Sequence, residues 1–159
     1  MTLEQLSILN YKNIAEATLA FSPNVNCFIG DNGMGKTNIL DSIYYLSFCK
    51  SNSQLPDQMT MRHDTDVMMI QGRYRNSVDE EDVITCGLKR GQRKHFKRND
   101  KEYKRLSEHL GLIPLVMISP SDSELITGGS EERRRFLDIV ISQTNPPYLE
   151  ALIRYGKSL

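Results

Sequence analysis

Gly30, Gly35, Lys36 and Thr37 stand at the spacing G-x-x-x-x-G-K-T within "NCFIGDNGMGKTNILDSIYYL". A triphosphate presents several negative charges, and this pattern supplies groups that answer them. Gly30, Gly33 and Gly35 let the backbone curl until its N–H groups face the phosphate oxygens. Lys36 puts a compact cation at a helix start, in reach of the terminal phosphates, and the Thr37 hydroxyl can ligate magnesium. Asp31, Asn32 and Met34 complete the loop, and the Asn32 and Asn38 side chains are further candidate contacts. ATP with Mg2+ is the expected ligand, because the sequence has no N-K-x-D loop of the kind that reads guanine.

Hydrolysis asks for more: an acid at the end of a neighbouring buried strand, and a group that positions water. The apolar run "PLVMIS" ends in Ser119, and Asp138 falls inside a helical pattern where an ion pair is its expected use. The catalytic residues are therefore unknown from the sequence. The sequence reads as the nucleotide-holding half of a site.

A phosphate loop works only between a strand and a helix, and the flanking patterns supply both. "LEQLSILNY" and "ATLAFSPNV" read as two strands, the second turning at Ser22-Pro23-Asn24. Residues 25–29 read as a third strand, continuously apolar and buried on both faces, that feeds the loop. From Lys36 to about Phe48 the period is helical, with Ile39, Ile43 and Leu46 on one stripe and Leu40 and Tyr44 beside it. Residues 50–66 read as a polar loop. "DVMMIQGRYR", "DVITCGLKRG" and "RKHFKRNDKEY" then form a meander with a hairpin tip at Asn99-Asp100, so a mostly antiparallel sheet is expected. "RLSEHLGL" reads as a short helix stopped by Gly111, and "PLVMIS" as a second buried strand. Ser121 with Glu124 makes a capping box for a brief helix ending at Gly128-Gly129, and Ser130 caps a longer one with two acids in its first turn. Pro146-Pro147 opens a last helical stretch with no closing cap, which reads as a cut.

At 159 residues, 39% apolar and 25% charged, the chain suits one globular domain. The first residues lack the apolar stretch of a signal peptide and no run approaches a membrane span, so a cytoplasmic protein without a membrane partner is expected. Cys27, Cys49 and Cys86 are odd in number and widely spaced, which favours buried free thiols. The zero net charge is unevenly spread: residues 89–105 carry nine Lys or Arg against two acids, a local +7, and the other 142 residues carry −7. With His95, Phe96 and Tyr103 interleaved, that stretch offers cations for phosphates and rings for unpaired bases. Strand alternation puts Arg93, His95 and Lys97 on one face and Lys94, Phe96 and Arg98 on the other. Arg93, Lys94, Lys97 and Arg98 are the candidate DNA contacts; a solvated face, an anchor for a protein partner, or contact with the nucleotide's own phosphates are the competing uses.

The stretch "NVNCFIGDNGMGKTNILDSIYYLS", the opening "LSILNYKNI", and "ISPSDSELITGGSEERRRFLDIVISQTNPPYLEALIRYGKSL" together resemble the N-terminal part of the RecF family, bacterial recombination and replication-repair ATPases of the ABC/SMC head type. The last block is the most specific, through S-P-x-D, then R-R-R-F-L-D, then P-x-Y-L. The resemblance implies an α/β fold, the N-terminal lobe of a P-loop ABC/SMC-type ATPase head with a mixed or antiparallel sheet plus helices. Residues 1–143 would form that part of the head, with the phosphate loop at 30–37 and antiparallel strands over about 66–104. Residues 144–159 would begin a helical arm. It further implies that Lys12 approaches the phosphates, and that ATP closes two copies of the longer protein into a homodimer acting on single-stranded or junction DNA with other recombination-mediator proteins, in repair, recombination and the response to DNA damage. The longer protein would be a weak DNA-stimulated ATPase, whereas this stretch lacks the signature motif and magnesium-binding acid and would be inactive alone. "SPSD" at residues 119–122 lies where such heads carry a glutamine-bearing loop, yet no glutamine stands there. "ITGGSEERRR" imitates an L-S-G-G signature but is followed by no acid-ended strand, so Gly128-Gly129 reads as a break between helices. A self-contained kinase-like P-loop enzyme and a module that holds nucleotide without turnover are the alternatives.

Overall fold

The computed structural model describes residues 1–53 and 55–158, with the backbone alone at Ser121 and Glu124. Its centre is one antiparallel sheet of β1 (Thr2–Tyr11), β2 (Ile14–Ala20), β3 (Val67–Arg75), β4 (Glu81–Lys89), β5 (His95–Arg98) and β6 (Lys101–Glu102), in the order β2-β1-β3-β4-β5-β6. The four α-helices among the described residues are α1 (Lys36–Phe48), α2 (Glu124–Thr127), α3 (Ser130–Thr144) and α4 (Pro146–Gly156).

Alternation makes the sheet two-faced. Leu6 and Ile8, Met68, Ile70 and Tyr74, Ile84, Cys86 and Leu88, and Phe96 point to one side and are buried. On the other side Ser7, Gln71, Thr85 and Lys97 stand in one cross-strand row. Helix α1 packs on the apolar side through Tyr45 and Leu46, with Cys49 at its C-cap. Gly72 makes room for it, since a Cβ there would come within 2.8 Å of Leu46 Cδ1. Asn99 and Asp100, with φ of 48° and 64°, make the two-residue tip that joins β5 to β6.

Buried His109 fastens the far end of α1. Its Nε2 donates to the Leu46 carbonyl at 2.6 Å, and its Nδ1 lies 3.1 Å from the Tyr103 hydroxyl. The helix expected around it is a single turn of 3-10 type at Leu106–Glu108.

Two expected strands do not form. Residues 25–29 and 114–119 join no strand ladder among the described residues, and Val25, Ile29, Val116 and Ile118 are 68–94% exposed. A strand requires a ladder partner, and the six-stranded sheet gives neither segment one. Other corrections are local. Leu40 is exposed, because the buried side of α1 runs through Asp41, Ser42, Tyr45 and Leu46. Gly129, not Ser130, is the cap residue of α3, although Glu131 and Glu132 do occupy its first turn. Asp138 accepts a hydrogen bond from Tyr148 OH at 2.5 Å in place of an ion pair. Cys49 and Cys86 are buried free thiols, but Cys27 is exposed. The capping box expected from Ser121 and Glu124 lies outside the described side chains.

Candidate nucleotide-binding site

The loop Gly30–Gly35 enters α1 and stands open to solvent except at Gly35. Gly33 and Gly35 have φ of 85° and 95°, in the left-handed region where glycine carries no Cβ penalty. Lys36 curls back over the loop, its Nζ donating to the carbonyls of Gly30 and Asp31 at 2.7 Å each. The cation is thus centred on the cradle. The Thr37 side chain is exposed, one residue further into the helix, with no hydrogen-bond partner among the described residues. Helix N-termini leave their first amides unpaired, and α1 begins directly at the end of this loop. A Lys ammonium, a free Thr hydroxyl and unpaired amides form a donor set suited to a magnesium-bound triphosphate.

The β1–β2 hairpin turn, Lys12-Asn13, braces this loop. Asn13 Nδ2 donates to the Gly33 carbonyl at 2.7 Å, and its Oδ1 accepts from Asn38 Nδ2 at 2.7 Å. Asn38 therefore serves the brace, while Asn32 stays exposed. The turn is itself held from residues 60–62: the Lys12 amide donates to the Thr60 carbonyl at 2.7 Å, and Arg62 Nη1 reaches the Asn13 carbonyl at 3.1 Å.

Lys12 is turned to Asp41. Its Nζ lies 2.5 Å from Asp41 Oδ2 and 3.1 Å from Ser53 Oγ. Asp41 is 3% exposed and also accepts from Tyr11 OH, Ser51 Oγ and the Asn52 amide, at 2.5, 2.7 and 2.7 Å. Burial pushes the Asp41 carboxyl up, but the hydrogen bonds from Lys12, Tyr11 and Ser51 outweigh it and hold the group below its ordinary value. Burial, followed by the Asp41 charge, pushes the Tyr11 phenol far up, so it remains a donor. Asn13, Asp41 and Ser51 were missed by pattern reading; the available signal was an acid at position 41, on the helical stripe that also carries Tyr45 and Phe48.

The four basic candidates divide as strand alternation demands. Lys94 is 15% exposed and spent internally, 2.9 Å from Asp57 Oδ2 and 2.5 Å from the Cys49 carbonyl. Arg98 is spent on buried Asp82, with Nε and Nη2 at 2.7 and 2.8 Å from its two oxygens. Arg93 and Lys97 face solvent. The loop at Pro120–Ser123 is one 3-10 turn, in which Asp122 accepts from the Ser119 amide at 2.5 Å.

A family model for the AAA ATPase domain matches residues 1–126. The chain belongs to the AAA ATPase domain family. Over all 159 residues it is 60% identical to the DNA replication and repair protein RecF of Phocaeicola vulgatus, and 58% identical to that of Parabacteroides distasonis; in both cases it spans 43% of the relative's length. A solved structure of the recombination mediator protein RecF with ATP superimposes with a TM-score of 0.93 at 31% identity, covering 99% of this chain and 42% of that one. The resemblance to RecF therefore holds along the whole chain. SMC ATPase structures align with a TM-score of 0.72 at 19% identity, which establishes the shared head fold. The architecture is that of the N-terminal part of an ABC/SMC-type ATPase head.

Proposed function

We propose that this chain is the ATP-holding part of a RecF-type DNA repair and recombination ATPase, with ATP and Mg2+ seated in Gly30–Thr37. The observation that carries the reading is the cradle: two left-handed glycines, the Lys36 ammonium centred over the loop, and an unpartnered Thr37 hydroxyl beside it. Asp31, Asn32 and Met34 supply backbone around the phosphates, Lys36 neutralises the terminal ones, and Thr37 ligates the metal. Lys12 is the second cation, reached by a swing away from Asp41. In the longer protein ATP is sandwiched between two heads, so binding makes a dimer that grips DNA and hydrolysis releases it. The whole RecF-type protein is a weak DNA-stimulated ATPase. Arg93 and Lys97 offer the DNA backbone two free cations, and other mediator proteins act on the same assembly.

Residues 1–143 belong to the head and 144–159 open the arm. The break at Asn145, whose side chain caps α4 ahead of Pro146-Pro147, supports that division. Among the described residues no helix is long and apolar enough to cross a membrane, and we assign the work to the cytoplasm.

Titration with a fluorescent ATP analogue and Mg2+ tests the reading. Lys36→Ala is expected to weaken binding at least about tenfold, the loss of a charge-assisted contact worth roughly 1.5–3 kcal/mol. Thr37→Ala is expected to lower affinity in Mg2+ but not in EDTA. Equal affinity of the wild type and Lys36→Ala refutes the cradle.

A further inference from the structure

We propose that Asp41 is a positioning residue of the nucleotide site: it holds Lys12 until a triphosphate takes it, and passes that change to the loop at residues 51–53. The proposal rests on the ATP reading above. Asp41 lies one helical turn beyond Thr37, a rise of about 6 Å along the same helix. Two separate segments converge on its buried carboxylate, the hairpin turn that braces the phosphate loop and the loop that leaves the end of α1. Lys12 joins them directly, since its ammonium touches both Asp41 and Ser53.

Lys12 is also held in an uncommon backbone conformation, with φ of 50°, by the hydrogen bond from its backbone N–H to the Thr60 carbonyl. A lysine fixed in this way cannot relocate its Cα, so only the side chain chooses between acceptors. An ammonium has three donors, and two are already used here. A magnesium-bound triphosphate carries more negative charge than one carboxylate, and a lysine side chain is long enough to cover one helical turn. When Lys12 turns to phosphate, Asp41 keeps the neutral donors Tyr11, Ser51 and Asn52, which continue to stabilise its charge. Ser53 keeps Ser51, at 2.7 Å, but loses Lys12. Nucleotide binding thereby loosens the loop at its Ser53 end, and the Lys12–Asp41 pair opposes ATP until it breaks.

A double-mutant cycle on the full chain tests this, read by affinity for a fluorescent ATP analogue and by hydrogen exchange at the Asn52 and Ser53 amides. Asp41→Asn is expected to tighten binding about fivefold, the size of a typical contact coupling. Lys12→Gln is expected to weaken it, and the double variant to match Lys12→Gln. ATP should speed exchange at the Ser53 amide in the wild type and not in Lys12→Gln, while the Asn52 amide, which keeps its Asp41 acceptor, serves as the internal reference. A gain from Asp41→Asn that persists without Lys12, equal affinities for Asp41→Asn and wild type, or unchanged wild-type exchange with ATP bound each overturn the proposal. Should Asp41→Asn not fold, Ser53→Ala leaves the carboxylate intact: loss of the exchange response supports the coupling, and a retained response overturns it. Binding that requires Lys36 but ignores Asp41 removes this proposal alone, whereas binding indifferent to Lys36 removes the ATP reading as well.

Discussion

At position 35 a side chain would meet two obstacles at once. Gly35 has φ of 95°, and a Cβ there would stand 2.9 Å from Asn13 Oδ1. Any substituent must therefore displace the side chain that ties the hairpin turn to Gly33 and Asn38. Gly91 is the matched control, with φ of 74° and no neighbouring atom within 4 Å of a Cβ. Gly35→Ala and Gly91→Ala should each cost about 1 kcal/mol of stability through backbone strain. Only Gly35→Ala should weaken binding of a fluorescent ATP analogue, by roughly tenfold, because it misplaces the loop as well. Thermal melts and titrations on both variants check this, and equal losses of affinity would count against a preorganised cradle.

Strand β5 carries the most informative division of labour among the elements. Four residues long, it sends Phe96 and Arg98 inward and His95 and Lys97 outward. Arg98→Gln should destabilise the protein by about 2 kcal/mol, because it leaves the Asp82 carboxylate, 3% exposed, with weaker neutral donors. Lys97→Gln should leave the melting temperature unchanged and lower the salt dependence of DNA binding by about one unit of slope, as should Arg93→Gln. An unchanged slope in both variants would remove the DNA reading from this face. The alternation behind these predictions is legible in "RKHFKR", since period two is a property of the strand itself. The limits of α1 and the glycine loop are legible for the same reason: local pattern dictates them. Residues 25–29 and 114–119 mislead because an apolar run has the same composition whether or not a partner strand lies beside it. Asp41 escapes notice because its partners at 11, 12, 51 and 52 come from two other segments, and no spacing rule joins them.

On the scale of the whole molecule, the sheet order separates the two charged functions. The phosphate loop sits against the β1–β2 turn, while the +7 stretch surrounds β5 and β6, three strand spacings or about 14 Å from β1. The basic stretch therefore lies on the opposite half of the sheet from the β1–β2 turn that braces the phosphate loop. Between these two regions lies the shared core, where His109 touches Phe96 and Tyr103 from the basic side and the end of α1 from the other. Burial is the main cause that holds this imidazole below its usual value of 6.5; the Leu46 carbonyl opposes the shift and Arg98 adds to it. An unfolded chain takes up a proton near 6.5 that the folded chain refuses, so stability is full above that pH and falls as the pH drops from there toward the folded value. Asp41 acts in a lower window: its depressed pKa contributes stability above 3.8 that is lost as the pH falls below it. Melts between pH 7.5 and about pH 5 leave Asp41 ionised throughout, and comparison with a His109 variant separates this histidine from the others. The wild-type melting temperature should fall across that range, and His109→Gln, which can still donate to Leu46, should flatten the decline. Parallel slopes in the two proteins would assign the dependence to other groups.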